Sequence, residues 1–201
     1  MGPCYHVVRL ERVEVRLVRG LERHLTGVMM AVIPREDETY RFDQEMMRRA
    51  LSLAREAMEI GEVPVGAVVV SDNRVVSQAF NLRETLNDPT AHAERLALTL
   101  AGRSLGRWRL DECTLYVTLE PCPMCAGAII QGRIARVVYG APDPKAGACD
   151  SLYRLVADPR LNHRAQVTAG LLREECGAIL TQFFQERRPI RPAIQILGRG
   201  A

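Results

Sequence analysis

The pattern of apolar and polar positions changes character near residue 42. Before it, Leu10, Val13, Leu17 and Leu21 fit a helical stripe, while Val13, Val15 and Leu17 equally fit a strand. From Phe42 the pattern sharpens. Asp43 is a good N-cap, with Phe42 and Met47 at the spacing of a hydrophobic staple. Met47, Ala50, Leu51, Ala54, Ala57 and Met58 then form one apolar stripe, and Gly61 stops the helix. Val65 to Val70 and Val75 to Phe80 are apolar runs on either side of Ser71-Asp72-Asn73-Arg74, which predicts a β-hairpin. Residues 81–89 read as a polar loop, and Thr90 is placed to cap a helix running to about Ala101, with Gly102 behind it. Leu115 to Leu119 reads as a buried strand. Pro121 is expected to open a helix that ends at Gly132, and Arg136 to Tyr139 is a further strand. A loop rich in Gly, Pro and Asp fills 140–150. A short helix from Ser151, a strand around Gln166 to Thr168 and a helix from Leu171 to about Arg188 complete the pattern. Strands alternating with helices predict an α/β protein with three α/β/α layers: a central mixed sheet of about five strands, with helices on both faces.

Composition limits the partners this chain can have. Its 201 residues suffice for one domain burying roughly 70% of its unfolded surface. Apolar content of 47% and charged content of 25% are those of an ordinary globular chain. A net charge of +3 is compatible with an RNA partner without pointing to one. Lys145 is the sole lysine among the 27 basic residues, a bias that arginine-rich codon usage explains, though a retained lysine marks a position to watch. No run approaches the ~18 apolar residues of a membrane span, and no targeting segment is evident, so a cytoplasmic protein is expected. Residues 1–41 are expected to be an extension, either poorly ordered or translated from too early a start, with a basic arm for nucleic acid as a third reading. Residues 42–190 form the domain and 191–201 a tail.

The chemistry gathers in two short motifs. His92-Ala93-Glu94 and Pro121-Cys122-Pro123-Met124-Cys125 spell H-x-E and, after a gap, P-C-x-x-C. The pair offers one imidazole, two thiols and a carboxylate that need not be a ligand. Three protein ligands leave one vertex of a tetrahedral zinc open for water, which is the catalytic kind of site. Both motifs fall at predicted helix starts, where the dipole favours a thiolate, and Cys122 and Cys125 share one helical face. C-x-x-C alone could be a redox pair. A structural zinc would need a fourth ligand, for which Cys113, Cys149 and His163 are candidates.

From Phe42 to Pro189 the chain resembles the TadA group of bacterial tRNA-specific adenosine deaminases. The likeness is carried by Glu62-Val63-Pro64-Val65-Gly66-Ala67, Asp88-Pro89-Thr90-Ala91-His92-Ala93-Glu94 and Thr118 to Ala128. It continues in Asp143-Pro144-Lys145-Ala146-Gly147-Ala148, Asn162-His163-Arg164, Phe183-Phe184 and Arg187-Arg188. The resemblance implies a zinc deaminase domain of the cytidine-deaminase fold. In it His92, Cys122 and Cys125 hold one Zn²⁺ per subunit, and a zinc-bound hydroxide attacks C6 of adenine with Glu94 as proton shuttle. It also implies a homodimer acting on the wobble adenosine of a tRNA anticodon stem-loop, an arginine tRNA first. Asn81 would contact the flipped purine, and Asp143, Lys145, Phe183, Phe184 and Arg187 would contact the RNA. The resemblance further implies that the base is extruded from its stack before deamination. The alternatives are a deaminase of free guanine- or cytosine-type bases and nucleosides, and a zinc-stabilised RNA-binding module without catalysis.

Overall fold

The computed structural model describes residues 35–187. Two compact units divide the chain, residues 1–39 and 40–201. The expectations for residues 1–34 of the N-terminal extension and for the 191–201 tail lie outside the described residues, as does Arg188, while residues 35–41 of that extension are helical. The second unit holds the sheet.

Five strands are arranged in the order β2-β1-β3-β4-β5. Strands β1 (Gly66–Ser71) and β2 (Arg74–Phe80) form the antiparallel hairpin, and β1 also pairs antiparallel with β3 (Thr114–Leu119). Strands β4 (Arg136–Ala141) and β5 (Gln166–Ala169) continue the sheet in parallel. The sheet is therefore mixed, as expected. Its central strands are buried on both faces, and this is why β1, β3 and β4 read as continuous apolar runs without alternation. Val68, Val70, Tyr116 and Val138 pack on one face against helix α1 (Arg35–Glu59) and helix α5 (Arg173–Glu186). Ala67, Val69, Leu115, Val117 and Val137 pack on the other against α3 (Ala93–Leu105) and α4 (Pro123–Gln131).

Gly66 sets how closely α1 approaches the sheet. A Cβ there would run into the carbonyl oxygen of Ala50 and lie 2.8 Å from the amide nitrogen of Ala54.

Several expected boundaries move, each for a physical reason. Asp43 is not an N-cap, because α1 already starts at Arg35. Asp43 is instead buried in the helix interior, where it accepts from the Tyr116 hydroxyl at 2.6 Å and from both terminal nitrogens of Arg136 at 2.9 and 2.6 Å. It thus ties α1 to β3 and β4. Thr90 does not cap α3; its amide and hydroxyl bond back to Asp88 at 2.7 and 2.6 Å, and His92 takes the cap position. Pro123, not Pro121, occupies the first turn of α4, with Cys122 as N-cap. The polar loop contains a one-turn helix, α2 (Arg83–Leu86). The short helix expected from Ser151 is only a 3₁₀ turn at Leu155–Ala157, and the amides of Asp150 and Ser151 before it bond to a buried side chain described below.

The topology brings the chemistry to one sheet edge. Leu119 pairs with Ala141, so β3 and β4 both leave the sheet there. Since β1 runs antiparallel to β3, its start lies at the same edge, and Gly66 pairs with Phe80, so β2 also ends there. Val65, Asn81, Cys122 and Asp143 consequently converge.

Candidate active site

At that edge lies a cavity of ≈ 160 Å³ whose lining includes Val65, Asn81, His92, Glu94, Cys122 and Asp143. His92 and Cys122 stand at the N-caps of α3 and α4 with extended backbone, and neither side chain makes a capping hydrogen bond. Both are thereby free to face each other. The Asp88–Thr90 turn fixes the approach to His92, and Arg95 braces it by donating to Asp88 and to the Thr90 carbonyl.

The ligand atoms of His92, Cys122 and Cys125 all lie within 4.8 Å of one another. Each sulfur is 3.6 Å from Nδ1 of His92. Among the described residues no fourth Cys, His, Asp or Glu joins them. His163 is engaged elsewhere, with Nε2 against the Ile134 carbonyl at 2.8 Å, and Cys113 and Cys149 are buried in the core.

The donor set itself asks for a cation. The Cys122 thiol is held down to about 4, first by the hydrogen bond from Cys125 and then by His92. Cys125 is pushed far up by that same bond and by burial. Two adjacent thiolates and an imidazole are compatible only when a positive ion replaces the shared proton, and an S₂N donor set this close together suits Zn²⁺. A tetrahedral ion held by these three residues would keep one position for a non-protein ligand. Glu94, fully buried next to this set, has its carboxyl pushed up by burial. It lines the cavity without joining the ligand group.

Two further glutamates hold the cavity's rims, and sequence reading assigned neither a role. Glu120, between β3 and Cys122, is buried and accepts from the amides of Asp143 (3.0 Å), Cys149 (3.1 Å), Asp150 (2.8 Å) and Ser151 (2.9 Å), and from the Ser151 hydroxyl. A Cβ at Gly147 would strike its carboxylate. Glu62, at the end of α1, is buried against the 81–86 loop. The available signal was a carboxylate ending an apolar run, as in Val117-Thr118-Leu119-Glu120, where a charge is tolerated only if the chain supplies donors.

The expected RNA contacts divide. Asn81 and Asp143 line the cavity, and Asp143 closes a local turn by accepting from the amides of Lys145 (2.9 Å) and Ala146 (3.2 Å). Lys145 is exposed beside it. Phe183 is buried, with the Arg187 guanidinium 4.2 Å above its ring and donating to the Gly61 carbonyl. Phe184 packs edge-on to it and stays half exposed. None of these three lines the cavity.

A mixed sheet bringing His, Cys, Cys and a buried Glu to one edge defines the zinc-dependent deaminase class. Residues 42–188 match the model of the MafB19-like deaminases. The chain is 49% identical over 151 residues to the tRNA-specific adenosine deaminase of Bacillus subtilis, covering 75% of this chain and 94% of that protein. It is 51% identical over 148 residues to that of Haemophilus influenzae, covering 73% and 86%. A solved structure from work on A-to-I editing by tRNA:A34 deaminases superposes with a TM-score of 0.66 at 48% identity, over 68% of this chain and 99% of that one. A guanine deaminase of Nitrosomonas europaea shares the fold at 23% identity, with a TM-score of 0.61 over 80% and 98%. The chain belongs to the family of tRNA-specific adenosine deaminases.

Proposed function

We propose that this protein hydrolyses adenosine to inosine at the wobble position of a tRNA anticodon, with an arginine tRNA as its first substrate. The observation that carries the reading is the convergence of His92, Cys122 and Cys125 within 4.8 Å, beside the buried Glu94 in one cavity. Zn²⁺ held by these three residues supplies Lewis acidity that brings the pKa of a bound water to about 7.

The protein's own groups do the rest. The cavity admits one extruded base, and a single-stranded anticodon loop gives up a base more cheaply than a duplex. Asn81 and Asp143, which both line the cavity, orient the nucleoside and its neighbour. Water adds to C6 of the purine, forming the C6–O bond. Glu94 takes the proton of that water and delivers it to the ring, and then a proton to the N6 amine as the C6–N6 bond breaks. The products are inosine and ammonia. A carboxyl buried against the reacting atoms suits both transfers, because it accepts and donates from one position. By the same reading Lys145, Phe184 and the end of α5 meet the RNA outside the cavity, and the enzyme works as a cytoplasmic homodimer. Among the described residues no helix is long and apolar enough to cross a membrane.

The test is inosine formation on a synthetic stem-loop carrying A34, set against free adenosine, guanine and cytidine. Turnover confined to the stem-loop is expected. Turnover of free bases with none on the stem-loop would sink the RNA reading. RNA binding that survives Glu94→Ala, without inosine from either protein, would leave only a binding module.

A further inference from the structure

Glu62 is fully buried at the rim of the cavity, yet no step above uses it. Buried carboxylates are rare unless the chain supplies donors. Here Oε2 accepts from Nδ2 of Asn81 at 2.9 Å and from the Glu84 amide at 3.3 Å, and Oε1 accepts from the Thr85 amide at 2.6 Å. Burial alone would raise this carboxyl. The hydrogen bonds of Thr85 and Glu84, with the nearby charge of Arg83, outweigh burial and hold it below its ordinary value. An ionised carboxylate only accepts. Asn81 can therefore meet it only with its NH₂ end, while its backbone amide is pinned to the Val65 carbonyl at 3.0 Å. With Nδ2 turned to Glu62, Oδ1 is the amide's acceptor for an occupant of the cavity, which Asn81 lines and Glu62 does not.

We propose that Glu62 is a positioning residue for the deamination. It fixes which way the Asn81 amide faces, so that the amide oxygen accepts from a donor of the extruded nucleoside. The nature of that nucleoside rests on the adenosine reading above; adenosine offers donors in its exocyclic amine and its ribose hydroxyls. Without the anion the amide is free to turn. Its NH₂ would then face those donors, and an attraction would become a mismatch that leaves a buried group unpaired. Specificity built on such a contact is lost when the amide turns, even if the fold survives.

Glu62→Gln separates this role from scaffolding. Glutamine matches glutamate in size, and its Oε1 still accepts from Thr85, but its Nε2 cannot accept from Asn81. The experiment uses the full, zinc-loaded protein with Glu62→Gln, Asn81→Ala and both changes together. It measures kcat/KM on the A34 stem-loop and, by ¹⁵N NMR, solvent exchange of the Asn81 side-chain amide. Each single change is expected to lower kcat/KM by about tenfold or more. The double variant should be no worse than Asn81→Ala alone, since residues acting through one another are not additive. The Asn81 NH₂ protons should exchange slowly in the wild type and fast in Glu62→Gln. Additive losses, or unchanged exchange in Glu62→Gln, would overturn the proposal. A wild type inert on the stem-loop would sink the adenosine reading instead, and the exchange measurement would still decide whether Glu62 holds Asn81.

Discussion

Between Cys122 and Cys125 one hydrogen bond does what a cation does better, and the ligand group there is separable from the buried carboxylate of Glu94 beside it. Substituting a ligand, as in His92→Ala or Cys122→Ser, leaves two strong donors, so zinc measured per chain should fall together with the melting temperature. Glu94→Gln should behave differently, because Glu94 stands outside the ligand group. Its zinc content should match the wild type while inosine formation falls by about 10²–10⁴-fold, the usual worth of a placed acid–base group. Loss of zinc on changing Glu94 would mean that its oxygen is a ligand and that the open coordination position is not open. The roles of Phe183 and Arg187 also belong to this scale. Their stacking at 4.2 Å closes the end of α1 through the Gly61 carbonyl, so truncating either affects folding as well as any RNA contact.

Two approaches between elements carry the site, and each has its own test. At Gly66 the β1 backbone sits so near α1 that a methyl would meet Ala50 and Ala54. Both neighbours are helix backbone and cannot give way, so Gly66→Ala should destabilise the protein by roughly 1–3 kcal/mol, as overpacking does, with α1 lifted from the sheet. Unchanged denaturant midpoints would show that α1 is looser than its packing implies. Glu62 gives the loop test. Its carboxyl is held below its ordinary value of 4.5 in the folded chain, so the unfolded chain takes up the proton first. The stability it contributes is therefore complete above about pH 4.5 and is lost as pH falls through the folded value. Unfolding free energies of the wild type and Glu62→Gln should converge as pH drops below that point. A difference that stays constant there would show that the carboxylate is not held as an anion. The same elements show what the sequence could convey. Both-sided burial left β1, β3 and β4 as apolar runs, and helix-start chemistry found both ligand motifs while setting each helix start two residues early, at Thr90 for His92 and at Pro121 for Pro123. The tertiary partners of a charge left no such trace. Asp43 looked like a cap because its partners, Tyr116 and Arg136, lie 73 and 93 positions away. The donors around Glu62 and Glu120 left none either, because most of them are main-chain amides, which every residue carries.

At the scale of the whole molecule, a shortened chain tests what residues 1–41 contribute. The family match starts at residue 42, while α1 already runs from Arg35, so a cut must spare that helix. A chain beginning at Met30 does so. Residues 1–41 hold seven arginines against six acidic residues, a balance that gives little grip on phosphates. The catalytic cavity draws every lining residue from 63–146. The shortened chain is therefore expected to convert A34 of a full tRNA at the rate of the full chain, read by sequencing the tRNA for inosine. The comparison is informative only if it is run on two substrates, the whole tRNA and the isolated stem-loop. Equal rates on both would confine recognition to the cavity, its rims and the end of α5. A loss on whole tRNA that spares the stem-loop would show the extension reaching the tRNA body, and rising salt should then erase the full chain's advantage, because phosphate contacts release counterions. A loss on both would place the extension in the stability of α1 instead, and melting curves of the shortened chain would register it directly.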